Sequence, residues 1–464
     1  MDHKTIEVTE VVDSAKFVGL PLAITFLTVL MMLVDGYDLQ TMAFVAPVII
    51  PEWGASASDV LWLQTGSMIG MAIGSVALGR LGDIIGRRNS YSTCLGFLFA
   101  GSLLSALSTN LWELFSWRLL TGIGLGGVTP LAATMITEWT PKHARNIAVA
   151  VSIVAVPTGG MIGAGVAQWI IPEYGWRMIF WIGAGLPLVF LAIALLLLPE
   201  SPRYLATRRD KHPQLAMQLN RLLRAQRFDG TELFHVAEPP APPGNWFATL
   251  LNKTYLSTTL LLWLAFAFNT LCLYSFINGL PTVLRETGMP LHESLQGSKL
   301  FNFGGMFGAI GGALLIGYFG SRIVGAGLAF IGAVATFFVG GAVLASTGHV
   351  DTQLLSLLIV AGMSLNGMQS FLYTVGAHSY PTYLRAAGVG CAQTVSRIGG
   401  VLSGVFAGSF FALNPRPPVS YFFFTVAVGL LVVVVGFYSL RTHVPANRSR
   451  GSGDRAVPAE SSAR

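Results

Sequence analysis

Long apolar runs dominate this chain, interrupted at intervals by short clusters of charge, Pro and Gly. They lie near 18–48, 59–80, 89–108, 111–138, 146–171, 176–198, 254–284, 294–319, 323–346, 351–378, 386–413 and 419–440. A hydrocarbon layer about 30 Å thick requires about 20 mostly apolar residues of a helix that crosses it. The pattern therefore predicts an all-α integral membrane protein of twelve spans. Between the sixth and seventh runs lies a polar segment, about 199–253. In it "LAMQLNRLLRAQRF" sets Leu215, Leu219 and Leu222 on one helix face and Arg221, Arg224 and Arg227 largely away from it. That reads as an amphipathic helix lying in the membrane interface, followed by a stiff spacer, "EPPAPPGNW". From Arg441 on the tail is polar and expected to be disordered.

The chain repeats itself. In "LQTGSMIGMAIGSVALGRLG" (63–82) Gly66, Gly70, Gly74 and Gly79 match Gly304, Gly308, Gly312 and Gly317 of "FNFGGMFGAIGGALLIGYFG" (301–320). Likewise Pro141 and Arg145 match Pro381 and Arg385, and Gly159-Gly160 matches Gly399-Gly400. Two parallel six-helix halves explain these registers, the layout of transporters that hold cargo between halves near mid-membrane. The domains expected are a first bundle (1–198), a linker (199–253), a second bundle (254–440) and a tail (441–464). Glycines spaced by four let helix backbones approach closely, which is reason enough for most of them.

Composition sharpens this picture. Only 11% of residues are charged and 53% are hydrophobic, against about 25% charged in soluble domains. The net charge of +6 is topology and not a nucleic-acid footprint. Of the 28 Lys and Arg, Arg177, Arg285, Lys299 and Arg416 fall on one side and Arg118 and Arg397 fall inside spans. The rest share the other side, with both termini, and the positive-inside rule makes that side cytoplasmic. The first sixteen residues carry Asp2, Glu7, Glu10 and Asp13 and do not read as a cleavable signal. Cys94, Cys272 and Cys391 lie apart within spans, so neither disulfides nor a metal site are expected.

Charges inside spans point to function. Asp35 and Asp38 stand one helical turn apart in "VDGYDLQTMAFVAP" (34–47), with Gly36 between them as a place for the helix to bend. An ionised acid at mid-span costs about 3 kcal/mol even on lenient scales, so a sequence without use for one would carry Leu. Counting helical rise, Arg118 lies roughly 12 Å and Asp35 roughly 16 Å in from the same face. Arg118 is thus placed to hold either a cargo carboxylate or Asp35 in its absence, since its planar fork suits carboxylates. Arg397, roughly 18 Å into span eleven from the opposite face, offers a second cation from the other half. Permanent structural ion pairs remain the alternative reading for all four. Asn269, Tyr274, Asn302, Asn366, Gln369 and Tyr373 are further candidate cavity groups, with Tyr373 or Phe371 as a flat partner for an aromatic ring. "GIGLGG" (122–127) satisfies the dinucleotide pattern literally, but sits mid-span and reads as helix packing.

"GRLGDIIGRR" (79–88) resembles the G-x-x-x-D-x-x-G-R-R signature of the major facilitator superfamily, matching at Gly79, Asp83, Gly86, Arg87 and Arg88. "RLLTGIGLGG", "EWTPKHAR" and "PESPRYL" extend the likeness over nearly the whole chain. "DGYD" followed by "APVI" is similar to the D-G-x-D…A-P signature of the aromatic acid:proton symporters. The resemblance implies the major facilitator fold and uptake of benzoate-like or hydroxylated aromatic carboxylates with protons across the inner membrane. It implies proton coupling at Asp35 and Asp38, an anion site at Arg118 and Arg397, and gating at Asp83, Arg87, Arg88, Glu138, Arg145, His378 and Arg385. Asp83 is expected against helix N-termini or an arginine of the neighbouring bundle, with Arg87 and Arg88 at the lipid surface. The later copy, "GYFGSR" (317–322), lacks the acid. No catalytic set or nucleotide loop is recognisable, so the expectation is a monomeric carrier without cofactor, driven by the proton gradient. A carrier of another organic acid or sugar, an efflux antiporter and a membrane sensor stay open as alternatives.

Overall fold

The computed structural model describes residues 5–236, 246–346, 348–415 and 417–439. Twelve helices in it are long and apolar enough to cross a membrane. Spans 1 to 6 are Leu20–Glu52, Ala57–Ile85, Arg87–Leu107, Leu111–Trp139, Lys142–Tyr174 and Arg177–Leu197. Spans 7 to 9 are Leu256–Glu286, Leu291–Ile316 and Tyr318–Ala345, and spans 10 to 12 are Thr352–Ser379, Thr382–Ala412 and Ser420–Ser439. Several start where a short polar side chain takes up a free N–H of the first turn. Ser56 and Asp59 form a reciprocal box at span 2, Asn110 caps span 4 and Asp351 caps span 10.

The spans form two six-helix bundles, and the repeated glycines show why the bundles resemble each other. A Cβ on Gly70 or Gly74 would overlap the Leu119 or Ile123 carbonyl, so span 2 lies backbone to backbone on span 4. In the second bundle Gly304 and Gly308 meet the Ile359 and Met363 carbonyls in the same way, joining span 8 to span 10. The mid-span "GIGLGG" likewise packs helices, Gly122 against Ser67 and Gly126 against Met71. Gly86 and Gly320 punctuate equivalent turns with positive φ of 97° and 76°, a region that costs any other residue strain. The second copy of the loop motif has thus kept its backbone turn while losing its acid.

The halves meet along spans 1 with 7, 2 with 11, and 5 with 8. One side of the molecule carries the start of span 1, the end of span 12 and the linker, and is called here the terminal side; the opposite face is the far side. Gly36 does not break span 1, which is one continuous helix from Leu20 to Glu52. Instead, a Cβ there would overlap the Val156 carbonyl, so Gly36 lets span 5 touch span 1.

The linker departs from expectation. Its helix, His212–Leu223, does not turn its apolar face to lipid. Leu215, Leu219 and Leu222 are buried in one cluster with Val8 and Val12, from the short helix Val8–Asp13 that precedes span 1. Beside it Thr5–Glu7 pairs in parallel with Leu233–His235, a strand pair that the apolar pattern did not announce. The spacer at 238–246 and the tail lie almost wholly outside the described residues.

Candidate functional site

The two acids of span 1 have separate surroundings. Asp38 is wholly buried, and its Oδ1 accepts a hydrogen bond from Ser102 at 2.8 Å. Arg118 Nη1 lies 3.3 Å from its Oδ2, and Nη2 donates to its backbone carbonyl at 3.0 Å. Ser67 receives Arg118 Nε at 3.2 Å, and the guanidinium stands 5.8 Å from the Phe180 ring centre. Both charged side chains have 0% exposure. A pair so enclosed has traded hydration for a complete set of partners, and removing one partner would strand the other charge. Arg118 therefore neither meets Asp35 nor stands open to cargo, contrary to the depth argument. Three residues rotate the two carboxylates about 60° apart on the helix, enough to give them different neighbours.

Asp35 is buried within the electrostatic reach of the other half. Its Oδ2 accepts from Thr129 at 3.4 Å, whereas its Oδ1 is buried without a hydrogen-bond partner among the described residues. The cation that acts on it electrostatically is Arg397, from the other half. Arg397 is half-buried and has no hydrogen bond or ion pair among the described residues. Tyr274 of span 7 lies within the electrostatic reach of Arg397, Tyr373 and Asp35. These four groups, from spans 1, 7, 10 and 11, are brought together by the fold.

The other candidates divide. Gln369 accepts from Asn269 at 2.7 Å and donates to the Tyr373 hydroxyl at 3.4 Å, so Asn269 acts through Gln369. Tyr373 packs edge-on against Phe266. Asn366 donates to the Gly362 carbonyl of its own helix. Phe371 is buried against Phe437 and is not a cavity ring. Asn302 is engaged across the interface: it and Gln40 exchange hydrogen bonds of 2.8 and 2.9 Å. Farther out, Gln64 donates to the Asn278 carbonyl, Ser58 to that of Gly408 and Gln168 to that of His292, and Lys299 reaches Gln168. Among the described residues, every hydrogen bond between the halves lies at mid-depth or toward the far side. The far side is sealed.

On the terminal side the expected latch is arranged otherwise. Asp83 is 69% exposed and, among the described residues, pairs only with Arg87 four positions on, at 2.9 Å across the turn at Gly86 that joins spans 2 and 3. Arg87 is not at a lipid surface. It also donates to the Gly82 carbonyl at 2.8 Å and lies 3.6 Å from Glu138. Arg88 donates to the Leu195 carbonyl. The acid that sits on a helix N-terminus is Glu200, whose Oε1 accepts from the Arg87 and Arg88 backbone N–H groups at 2.7 and 3.1 Å. Ser201 binds Glu138, completing the link between span 4, the loop at Gly86 and the linker. Arg145 binds Asp13 at 2.6 Å and so holds the segment before span 1. Arg385 is exposed, and exposed His378 bonds only to the Thr374 carbonyl one turn back.

The model of the Major Facilitator Superfamily matches residues 26–404. The chain belongs to that superfamily. It is 32% identical to the 4-hydroxybenzoate transporter PcaK of Pseudomonas aeruginosa, over 84% of this chain and 86% of that one. To the gallate transporter of Pseudomonas putida it is 30% identical, over 90% and 91% of the two chains. Such relatives place it in the superfamily's aromatic acid transporter family. The fold is also that of the xylose transporter XylE from E. coli in its inward open conformation, with a TM-score of 0.71 at 17% identity, over 91% and 97% of the chains. The protein is thus a multi-pass membrane transporter of the superfamily and not an enzyme.

Within this superfamily fold, sequence reading missed Gln40, Ser102, Thr129 and Glu200. Gln40 carried a usable signal, because an amide in the same apolar run as Asp35 needs a partner as much as a carboxylate does. Glu200 stood in the quoted "PESPRYL" without a role. Ser102 and Thr129 carried none, since hydroxyls in spans commonly bond their own helix.

Proposed function

We propose that the protein imports an aromatic carboxylate together with protons across the inner membrane, with the terminal side in the cytoplasm. The observation that carries this reading is the unpaired Arg397 beside Asp35 and Tyr274, between the halves. An uncompensated guanidinium there is costly, and an anionic cargo supplies what it lacks. Arg397 takes the carboxylate, Tyr274 and Tyr373 bracket the ring, and Asp35 carries the proton. Relatives named for 4-hydroxybenzoate and gallate support this cargo class.

With the far side sealed, the present arrangement is cytoplasm-facing. Release of cargo leaves Arg397 free to draw on Asp35, which then gives up its proton. That neutral pairing allows the empty halves to rock outward. Outside, protonation of Asp35 releases Arg397 for the next carboxylate. Coupling follows from charge: neither Arg397 nor Asp35 crosses the occluded state as an unpaired ion. Asp38 and Arg118 stay joined and brace spans 1 and 4. Gln40 and Asn302 gate the outer path, while Arg87, Glu138 and Glu200 anchor the inner one. The carrier works as a monomer and draws its energy from the proton gradient.

The deciding experiment uses purified protein in vesicles with an imposed pH gradient and a panel of aromatic and aliphatic acids. Gradient-driven accumulation restricted to aromatic carboxylates is expected. Equal uptake of aliphatic acids or sugars, or cargo moving against the proton flow, would overturn the reading.

A further inference from the structure

Arg224 closes the linker helix in the left-handed conformation, at φ 53° and ψ 34°. It is the one residue other than glycine with positive φ among those described. Glycine or asparagine normally takes this place, because a Cβ is strained there. Retaining an arginine makes sense if its side chain is needed where the turn points it. The guanidinium lies over Gly19, the residue before span 1: a Cβ on Gly19 would stand 2.6 Å from Nη2. Gly19 itself adopts φ 65°.

The guanidinium opens on a cleft of about 440 Å³ beside the linker helix, lined also by Arg221, Asn220 and Met217. Neither Arg221 nor Arg224 has a side-chain hydrogen bond or ion pair among the described residues, and both are exposed. The carboxylate on the cleft wall, Asp229, is engaged by the Thr231 N–H and hydroxyl at 2.9 and 2.6 Å. Around Gly19 and along the first turns of span 1 runs a stripe of exposed apolar side chains, with Val18, Leu22 and Phe26 exposed by 44%, 48% and 63%. Leu22 and Phe26, four residues apart, share one helix face, and Val18 adjoins it from the turn before the helix. Two unpaired cations at headgroup depth, continuous with an uncovered apolar stripe, have the shape and charge order of a phospholipid.

We propose that this cleft holds the headgroup of an anionic phospholipid, with Arg224 and Arg221 on its phosphate and an acyl chain along Val18, Leu22 and Phe26. The lipid would then staple the linker to the start of span 1, the helix that carries Asp35.

Native mass spectrometry of the full-length protein tests this with phosphatidylglycerol and phosphatidylcholine of matched chains. Preferential retention of one phosphatidylglycerol is expected, weakened about fivefold for each arginine removed. The variants are Arg224→Gly and Arg221→Gln. Glycine suits the left-handed turn, so Arg224→Gly should melt no lower than the parent, which separates lost binding from lost folding. Equal retention of both lipids, or undiminished retention by the double variant, would overturn the proposal. So would displacement of the lipid by millimolar inorganic phosphate, which would assign the arginines to a free anion.

Discussion

Arg118 passes by Asp35 and closes on Asp38, donating to its carboxylate at 3.3 Å and to its backbone carbonyl at 3.0 Å. The ion pair at the heart of the first half is therefore complete without cargo, and the incomplete one spans the two halves. Which acid is replaced should decide whether stability or coupling is lost.

Asp38→Asn or Arg118→Gln alone leaves a buried charge without its counterion, at a cost of about 3–5 kcal/mol. Each should lower the melting temperature sharply in detergent. The double variant should recover much of the loss. A double variant no more stable than either single one would show that the pair is not the unit.

Asp35→Asn should fold normally, because Thr129 can still bond to the amide. Accumulation driven by a pH gradient should vanish, whereas exchange of labelled for unlabelled cargo persists. Uptake by the parent should fall as the external pH rises and fewer carriers are protonated; uptake by the variant should be flat. Full gradient-driven accumulation by Asp35→Asn would remove Asp35 as the proton carrier.

Arg397→Gln should raise KM for a carboxylate roughly tenfold or more, the value of a charge-assisted contact. Arg397→Lys keeps the charge but not the fork, and should recover only part. Melting should not fall in either, since the side chain has no hydrogen bond or ion pair among the described residues to lose, and Arg397→Gln also removes an uncompensated charge. Unaltered KM in Arg397→Gln would move the anion site elsewhere.

The reciprocal amide bonds of Gln40 and Asn302 should set the balance between the two facing states. Gln40→Ala leaves the buried Asn302 Oδ1 without its donor, while Nδ2 keeps the Ser298 carbonyl, at a cost of about 1–3 kcal/mol. That penalty falls only on the sealed far side and should favour its opening. A cysteine at Gly165, which faces Lys299 across the seam, should react faster with an impermeant thiol reagent in Gln40→Ala. Unchanged labelling would assign the amide pair to packing alone.

The fold was largely legible because membrane burial leaves coarse marks. Apolar runs gave each span, and the spaced glycines marked helix faces of close approach, though not which helices meet there. The site was legible only in part. Helical rise placed Asp35 and Arg118 at like depth, but depth does not fix azimuth, and a rotation of about 60° separates Asp35 from Asp38. Arg397 was found by the rule that an intramembrane charge has a use. The terminal-side network was misassigned because the acid on the helix N-terminus, Glu200, lies far along the chain from Asp83. Contacts of that range have no local pattern.

The linker helix owes its dry face to a handful of residues ahead of span 1. Val8 and Val12 cover Leu215 and Leu219, and the Thr5–Glu7 strand borders Leu233–His235. Trimming the protein to begin at span 1 would therefore uncover a greasy patch well over two hundred positions downstream in places, and invite clumping during purification. Affinity handles and fusions belong at the opposite terminus, where no described strand has to find its mate.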